Sequence, residues 1–503
     1  MDKEMNAKAM ARWLMAANLL CLTVMFGMYV FYPHYATDDY NNYYCSMELG
    51  GVHAYVSMRP IVGIVWWILA KLGINFVRDQ VFFGILLLFS MAFLTTKLTL
   101  LVAEKMNKAQ DLKNIVMLNM GSLFLTGNAF TSEYFWYASS YIAWMIAFTG
   151  VTLSLLYLAK EDHLVKNSVI SLIWLFIAVG SYQVIAIQYA AIVLFIVYMK
   201  QNRKIDKAAL LKLLRAALIL MIAMACNMLI AKPIGIMLGH PDAGTTRVGF
   251  DFHLVFDILH NYIMKAQPVI WIDCMGTLPR ASMLMVCLLL LVACTVCSKH
   301  AVLNFIWAMA VCFTVDGMIG AIQILQGWFY PTLRTYAPIF SIVTIFIWMN
   351  VYNEHCMKKN KIVLATGILF LAVNFIEIQV NAIDVIKTNT MDKECIRQID
   401  ASMQSYENRT GIQINKIGFI PDASRSFKYD VILSNHIIGD LGERAFVTSW
   451  SDCNSIRFYT GRELQRVDVP EPYASQLSSA DWTAMQLDEQ MIFDYDAVYI
   501  AVY

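Results

Sequence analysis

The chain has 503 residues, 59% of them hydrophobic and 15% charged, with a mean hydropathy of +0.55. Soluble domains carry roughly a quarter charged residues, so the composition is that of an integral membrane protein. A formal net charge of +1 offers no basic field to attract nucleic acid.

The first apolar run, 11–32, is long enough to cross a ~30 Å hydrocarbon core. Its exit, "YPHYATDDYNNYY", is bulky and polar where a cleaved leader needs small residues, so the run reads as a retained first helix. Further apolar runs follow at 81–103, 114–130, 135–159, 168–182, 184–199, 209–238, 281–297, 301–325, 335–352 and 361–379, giving an expectation of about eleven transmembrane helices. The pair 168–199 is interrupted by "GSYQ" and would equally serve as one bent element. With a cytoplasmic N-terminus, the inner loops collect Lys105, Lys108, Lys113, Lys160, Lys166, Lys200, Arg203, Lys204, Lys207, Lys299, Lys358, Lys359 and Lys361, as the positive-inside rule demands. The outer cations, among them Arg59, Arg78, Arg247, Arg280 and Arg334, are scattered singly.

Two long outer loops are expected, 33–80 and 239–280. The first contains "RPIVGIVWWILAKLGINFVRD", read as a helix lying in the membrane interface. The second has glycine and proline breaks followed by an amphipathic stretch at 251–264. After about 380 the composition becomes soluble, with helical "DKECIRQIDASMQSYEN" and strand-like "INKIGFI", "YDVIL", "RAFVTSW" and "DAVYIAVY". The expected organisation is a mainly α, membrane helical bundle over 1–380 and a small extracytoplasmic α/β domain over 381–503.

Six cysteines (Cys21, Cys226, Cys287, Cys294, Cys297 and Cys312) sit in apolar runs and read as packing residues. Cys45, Cys274, Cys395 and Cys453 lack C-x-x-C spacing, which argues against zinc; a Cys395–Cys453 disulfide is one pairing available to them. The outer histidines form no i, i+4 pair.

Chemistry is concentrated at Asp38 and Asp39. A carboxylate at a membrane boundary is costly unless it meets water, a cation or a hydroxyl, and adjacent residues diverge by about 100° on a helix, so the pair suits one general base and one organiser. A solvated helix cap is the bland alternative. Tyr40 and Asn41, beside the pair, belong to residue types that hold sugars by stacking and hydrogen bonds.

The order "TDDYNNYY" after the first span, "MRPIVGIVWW" opening the interfacial helix, "EYFWYASSYIAW" and "GSYQ" at outer span ends, and "YPTLRTYAPIF" before a late span resembles the polytopic glycosyltransferases of the C-type (GT-C) fold. Within them the chain is most like the serotype-converting O-antigen glucosyltransferase family. The likeness covers most of the membrane part and, more loosely, the tail; the family more often has glycine where this chain has Met58. The resemblance implies transfer of a hexose, glucose in that family, from a polyprenyl-phosphate-linked donor to a hydroxyl of a cell-surface glycan. The reaction would invert the sugar, on the extracytoplasmic side of the bacterial inner membrane. Some members of the superfamily use a divalent cation (Mg or Mn), which Asp38 and Asp39 would hold here.

A sugar phosphodiester already has a good leaving group, so it needs one carboxylate for the acceptor proton and a cation for the departing phosphate. Asp38 is the first choice for the base with Asp39 positioning, and the reverse order satisfies the same chemistry. Arg59 is the leading phosphate ligand because a guanidinium presents a fixed fork of donors; a headgroup anchor is its alternative. Arg334 and Arg247 are further phosphate or carrier candidates that would also suit helix ends or lipid headgroups. Glu133, Tyr182, Gln183 and Tyr330, with Tyr40 and Asn41, are the candidate sugar and acceptor contacts. A lipid-linked oligosaccharide flippase is the competing class, although a transporter concentrates polar residues near the midplane; a polysaccharide polymerase or ligase would share the lipid-linked donor.

Overall fold

The computed structural model describes residues 2–44, 54–55, 57–108, 111–239, 252–296, 298–326, 332–353, 357–420, 441–479 and 486–501. Most of these are helical: α1 (Asp2–Phe31), α2 (Thr37–Tyr44), α3 (Pro60–Lys71), α4 (Gln80–Lys105), α5 (Leu112–Leu123), α6 (Ala138–Leu158), α7 (Leu164–Val179), α8 (Ile185–Lys200), α9 (Lys207–Met237), α10 (Phe252–Asn261), α11 (Gln267–Trp271), α12 (Ser282–Val296), α13 (Ala301–Gln326), α14 (Leu333–Tyr352) and α15 (Met357–Thr410). Each apolar run therefore does form helix. Seven helices, α1, α4, α6, α9, α13, α14 and α15, contain stretches long and apolar enough to cross a membrane. Helices α7, α8 and α12 have 16, 16 and 15 residues, about 24 Å or less at ~1.5 Å per residue, which falls short of a ~30 Å core. The run at 114–130 resolves into the 12-residue α5, turns, and a 3-10 segment Ala129–Tyr134.

Burial sorts the helices. The apolar window of α14 is 94% buried and those of α4 and α6 are 67% buried, whereas that of α9 is 22% buried, leaving Leu211, Leu214, Leu218 and Met221 exposed. Such a continuous apolar face on a long helix suits hydrocarbon and would be unfavourable in water. "GSYQ" separates α7 from α8 as two helices. A Cβ on Gly180 would overlap Asn227 Oδ1 of α9 and lie 2.7 Å from Ile61 Cγ1 of α3, so a larger residue would have to push these side chains aside where the three helices meet. Of the stretch 251–264, the described part from Phe252 forms α10 and then enters a π-helical turn, Tyr262–Ala266, whose Tyr262 hydroxyl donates to Asp316 of α13 at 2.8 Å.

The boundary expected at 380 falls within a helix. Helix α15 runs unbroken through it for 54 residues, about 80 Å, because no proline interrupts it before Gly411 ends it at φ +73°. Its far half supplies Ile396, Ile399 and Met403 to the core of the C-terminal unit, against Ile417, Val498 and Ile500. That unit contains β1 (Lys416–Ile420), α16 (Asp452–Thr460), β2 (Gln465–Arg466), α17 (Glu471–Ser479), β3 (Met491–Asp494) and β4 (Ala497–Ala501). The sheet order is β2-β1-β4-β3, with β1 parallel to both neighbours and β3 antiparallel to β4. "INKIGFI" and "DAVYIAVY" thus contain strands, while "YDVIL" lies outside the described residues. "RAFVTSW" is a set of turns, not a strand: the Ala445 amide donates to Asp392 Oδ2 at 2.7 Å and Thr448 and Ser451 bond each other, so side chains use groups a ladder would need. Cys395 and Cys453 are free thiols.

Candidate functional site at the α2 end of the bundle

Thr37 to Tyr44 form α2, with both aspartates in its first turn, where the helix dipole favours negative charge. Their surroundings differ sharply. Asp39 is fully buried; its Oδ2 accepts from the Ala36 amide at 3.0 Å and the Ala138 amide at 3.2 Å. It therefore caps its own helix in the manner of a capping box and also the first turn of α6. Burial pushes its carboxyl up from the ordinary 3.8 to about 7, against the amide hydrogen bonds, which lower it. Asp38 is half-buried and its Oδ1 accepts from Trp450 Nε1 at 2.9 Å. The two carboxylates thus diverge, as their helical spacing requires.

Arg59 is the residue before Pro60 and caps α3. Met58 ahead of it has φ 55°, a left-handed conformation that a glycine adopts at no cost. The Arg59 Nε donates to Gln183 Oε1 at 3.1 Å, and Gln183 Nε2 in turn donates to the carbonyls of Ser57 and Met58 at 2.6 and 2.8 Å. The guanidinium lies 4.0 Å from the centre of the Tyr182 ring, within cation–π range. Tyr182 stacks on Trp144 at 4.1 Å and Trp144 on Tyr134 at 3.6 Å, a column of rings with the arginine at its head.

Beside that column, Glu133 is fully buried. Its Oε1 accepts from Arg334 Nη1 and its Oε2 from the Arg334 amide, both at 2.6 Å. The Arg334 guanidinium lies 5.2 Å from the Tyr137 ring, next to the Ala138 amide that Asp39 holds. Three groups of contacts, Arg59–Tyr182–Trp144–Tyr134, Glu133–Arg334–Tyr137 and Ala138–Asp39, are joined to one another and to Asp38 by residues adjacent in the chain.

Four candidates are engaged by protein partners. Glu133 faces Arg334 from a buried position and has no open face for a sugar. Tyr40 is 1% exposed; its hydroxyl meets Tyr459 at 3.2 Å and its ring packs on Phe458, so it docks the C-terminal unit. Tyr182 is closed between Trp144 and Arg59. Gln183 orients Arg59. Asn41 stays half-buried, accepting from Asn454 Nδ2 at 3.2 Å. Arg247 and Tyr330 lie outside the described residues. Tyr134, Tyr137 and Trp144 were present in "EYFWYASSYIAW" but not singled out. Trp450 and Asn454 carry no local signal, being 412 and 413 residues from their partners. Among the described residues no three His, Cys, Asp or Glu side chains converge as metal ligands. Comparisons with protein-family models, curated proteins and solved structures find no match to this chain.

Proposed function

We propose that the protein is a membrane glycosyltransferase that moves a hexose, glucose by the resemblance above, from a polyprenyl-phosphate-linked donor to a hydroxyl of a surface glycan. In this reading α7, α8 and α12 also cross a locally thinned bilayer, as does the run 114–130 made of α5 and its 3-10 continuation, giving the eleven-helix GT-C arrangement, and the α2 end faces outward from a bacterial inner membrane. The observation that carries it is the half-buried Asp38 beside the buried Asp39 at the end of a lipid-compatible bundle that also holds the ring column headed by the Arg59 guanidinium.

Asp38 is the base, because it alone of the pair reaches the surface. Its carboxylate takes the acceptor hydroxyl proton as the acceptor oxygen forms a bond to the anomeric carbon. The bond from that carbon to the phosphate oxygen breaks, and its electron pair leaves with the polyprenyl phosphate. One displacement from the opposite face inverts the anomeric centre. Asp39, locked onto two helix amides, positions α2. Arg59, oriented by Gln183 and Tyr182, binds the departing phosphate, with Arg334 and Arg247 as further phosphate or carrier contacts and Tyr330 as a sugar contact. This scheme needs no metal; a divalent cation at the aspartates is tested by adding chelator to the assay.

The test is incorporation of labelled glucose from synthetic polyprenyl-phosphate glucose into glycan by purified protein. Asp38→Asn is expected to abolish transfer while the protein keeps its melting temperature. Undiminished transfer by Asp38→Asn removes the proposed base. Labelling of a cysteine placed at position 38 only from the cytoplasmic side removes the orientation.

A further inference from the structure

Helix α16 of the C-terminal unit lies along α2 in register. Trp450, just ahead of α16, meets Asp38; Asn454 meets Asn41; and the Arg457 guanidinium lies 4.2 Å from the centre of the Tyr44 ring. These are positions i, i+4 and i+7 on one element against i, i+3 and i+6 on the other, so they form a single stripe along the two helices. Behind the stripe the seam is closed by Phe458 against Tyr35, Tyr40 and Tyr43 at 4.6, 5.6 and 4.9 Å. The stripe itself is open: Asp38, Asn41, Tyr44, Asn454 and Arg457 are half-buried, and Trp450 is 50% exposed.

We propose that this seam is the acceptor-glycan subsite, with Trp450 the platform on which the accepting sugar ring stacks. The N–H bond to Asp38 favours the rotamer that keeps the exposed face of the indole beside the carboxylate. The apolar face of a pyranose laid on that ring brings its hydroxyl edge toward Asp38 Oδ2, which accepts no hydrogen bond among the described residues. The amides of Asn41 and Asn454 supply both donors and acceptors for the next sugar's hydroxyls, and neither aspartate is diverted from the role assigned above. What is done at this subsite rests on the glycosyltransferase reading, but what is bound there does not. The C-terminal unit therefore completes the site by selecting the acceptor.

The experiment uses the full chain in detergent and a panel of neutral hexose and deoxyhexose tetrasaccharides. Saturation-transfer NMR reads binding without donor, and transfer from polyprenyl-phosphate glucose reads acceptor and donor half-saturation separately. Trp450→Ala is expected to lose the saturation-transfer signal and raise acceptor half-saturation about tenfold, the scale of one aromatic stacking contact, with donor half-saturation unchanged. Trp450→Phe, which keeps a ring and lacks the N–H, is expected to stay within about threefold of wild type on the same scale. The proposal is overturned if no tetrasaccharide takes up saturation from the wild type, if Trp450→Ala binds as wild type does, or if both variants lose only turnover. Binding lost in Trp450→Ala together with no transfer by the wild type would keep the subsite and sink the glycosyltransferase reading instead.

Discussion

The same two helices, α6 and α14, begin at one end of the bundle and finish at the other, and the two ends are built differently. At their N-termini the capping groups are carboxylates: Asp39 on the Ala138 amide and Glu133 on the Arg334 amide. At their C-termini the caps are lysines: Lys200 on the Ala159 carbonyl at 2.7 Å and Lys108 on the Val351 carbonyl at 2.8 Å. Both choices complement the helix dipole, so polarity alone does not distinguish a site from an anchor. Solvation does. Asp39 and Glu133 are wholly buried, whereas Lys200, its own side chain 13% exposed, pairs with Glu161, whose side chain is 66% exposed, so there the counter-charge stays in water. Charge buried at the α2 end is costly and persists only where each group is fixed by partners; at the lysine end the carboxylate of the pair remains exposed, which lowers that cost, and the cations set orientation.

That contrast ranks the substitutions. Asp38→Asn should reduce transfer by about 10²–10⁴, the usual contribution of a positioned base, measured as initial rates at saturating donor, while an exposed lysine-end change such as Lys166→Gln leaves the rate unaltered. A comparable loss from Lys166→Gln would erase the distinction between the ends. Next, Glu133→Ala leaves Arg334 without its buried carboxylate partner and should destabilise the fold by about 3–5 kcal/mol, read by thermal unfolding in detergent. An unchanged melting temperature would mean that the pair carries no structural load.

Much of this was legible in the residues, for reasons specific to each. The apolar runs announced their helices because length and hydrophobicity act locally. Seven of them satisfy the length needed to cross, and the continuous α15 shows that a composition change need not mark a joint. The aspartate pair was visible as an anomaly, but which member is buried depends on the α6 amide that reaches Asp39 from 99 residues away. Glu133 and Tyr182 were recognised as polar or aromatic residues at span ends, yet their partners, Arg334 and Trp144 with Arg59, meet only in three dimensions. Trp450 was invisible, since a tryptophan in a turn-rich segment has no periodicity to betray it. Met58 was the departure from the resembled pattern, and its φ of 55° gives the physical reason why glycine suits that turn.

A pH series sharpens the comparison further. With its folded carboxyl raised to about 7 from 3.8, Asp39 holds a proton in the folded chain that the unfolded chain has already released. Its contribution to stability is therefore complete below about pH 4, falls as pH rises, and levels off above about pH 7, at about 1.4 kcal/mol per pH unit in between. Between pH 5 and pH 8 the wild type should lose roughly 2–3 kcal/mol relative to Asp39→Asn, which keeps an acceptor oxygen for both amides and cannot titrate. Parallel melting curves for the two proteins would show that Asp39 does not titrate with folding.

The smallest effect is the most discriminating, because it belongs to the other end. Lys200→Met removes a cation from the α6 C-terminus and from Glu161 while keeping the aliphatic stem packed. A dipole contact of about 0.3–1 kcal/mol and an ion pair whose carboxylate is exposed, about 0–1 kcal/mol, together predict a loss near 1 kcal/mol. Salt screens solvated charges within about 10 Å at ~0.1 M ionic strength, so this loss should shrink at high salt, whereas the buried Glu133→Ala loss should not. If both losses respond to salt alike, burial does not separate the two ends, and the assignment of chemistry to the α2 end loses its electrostatic basis.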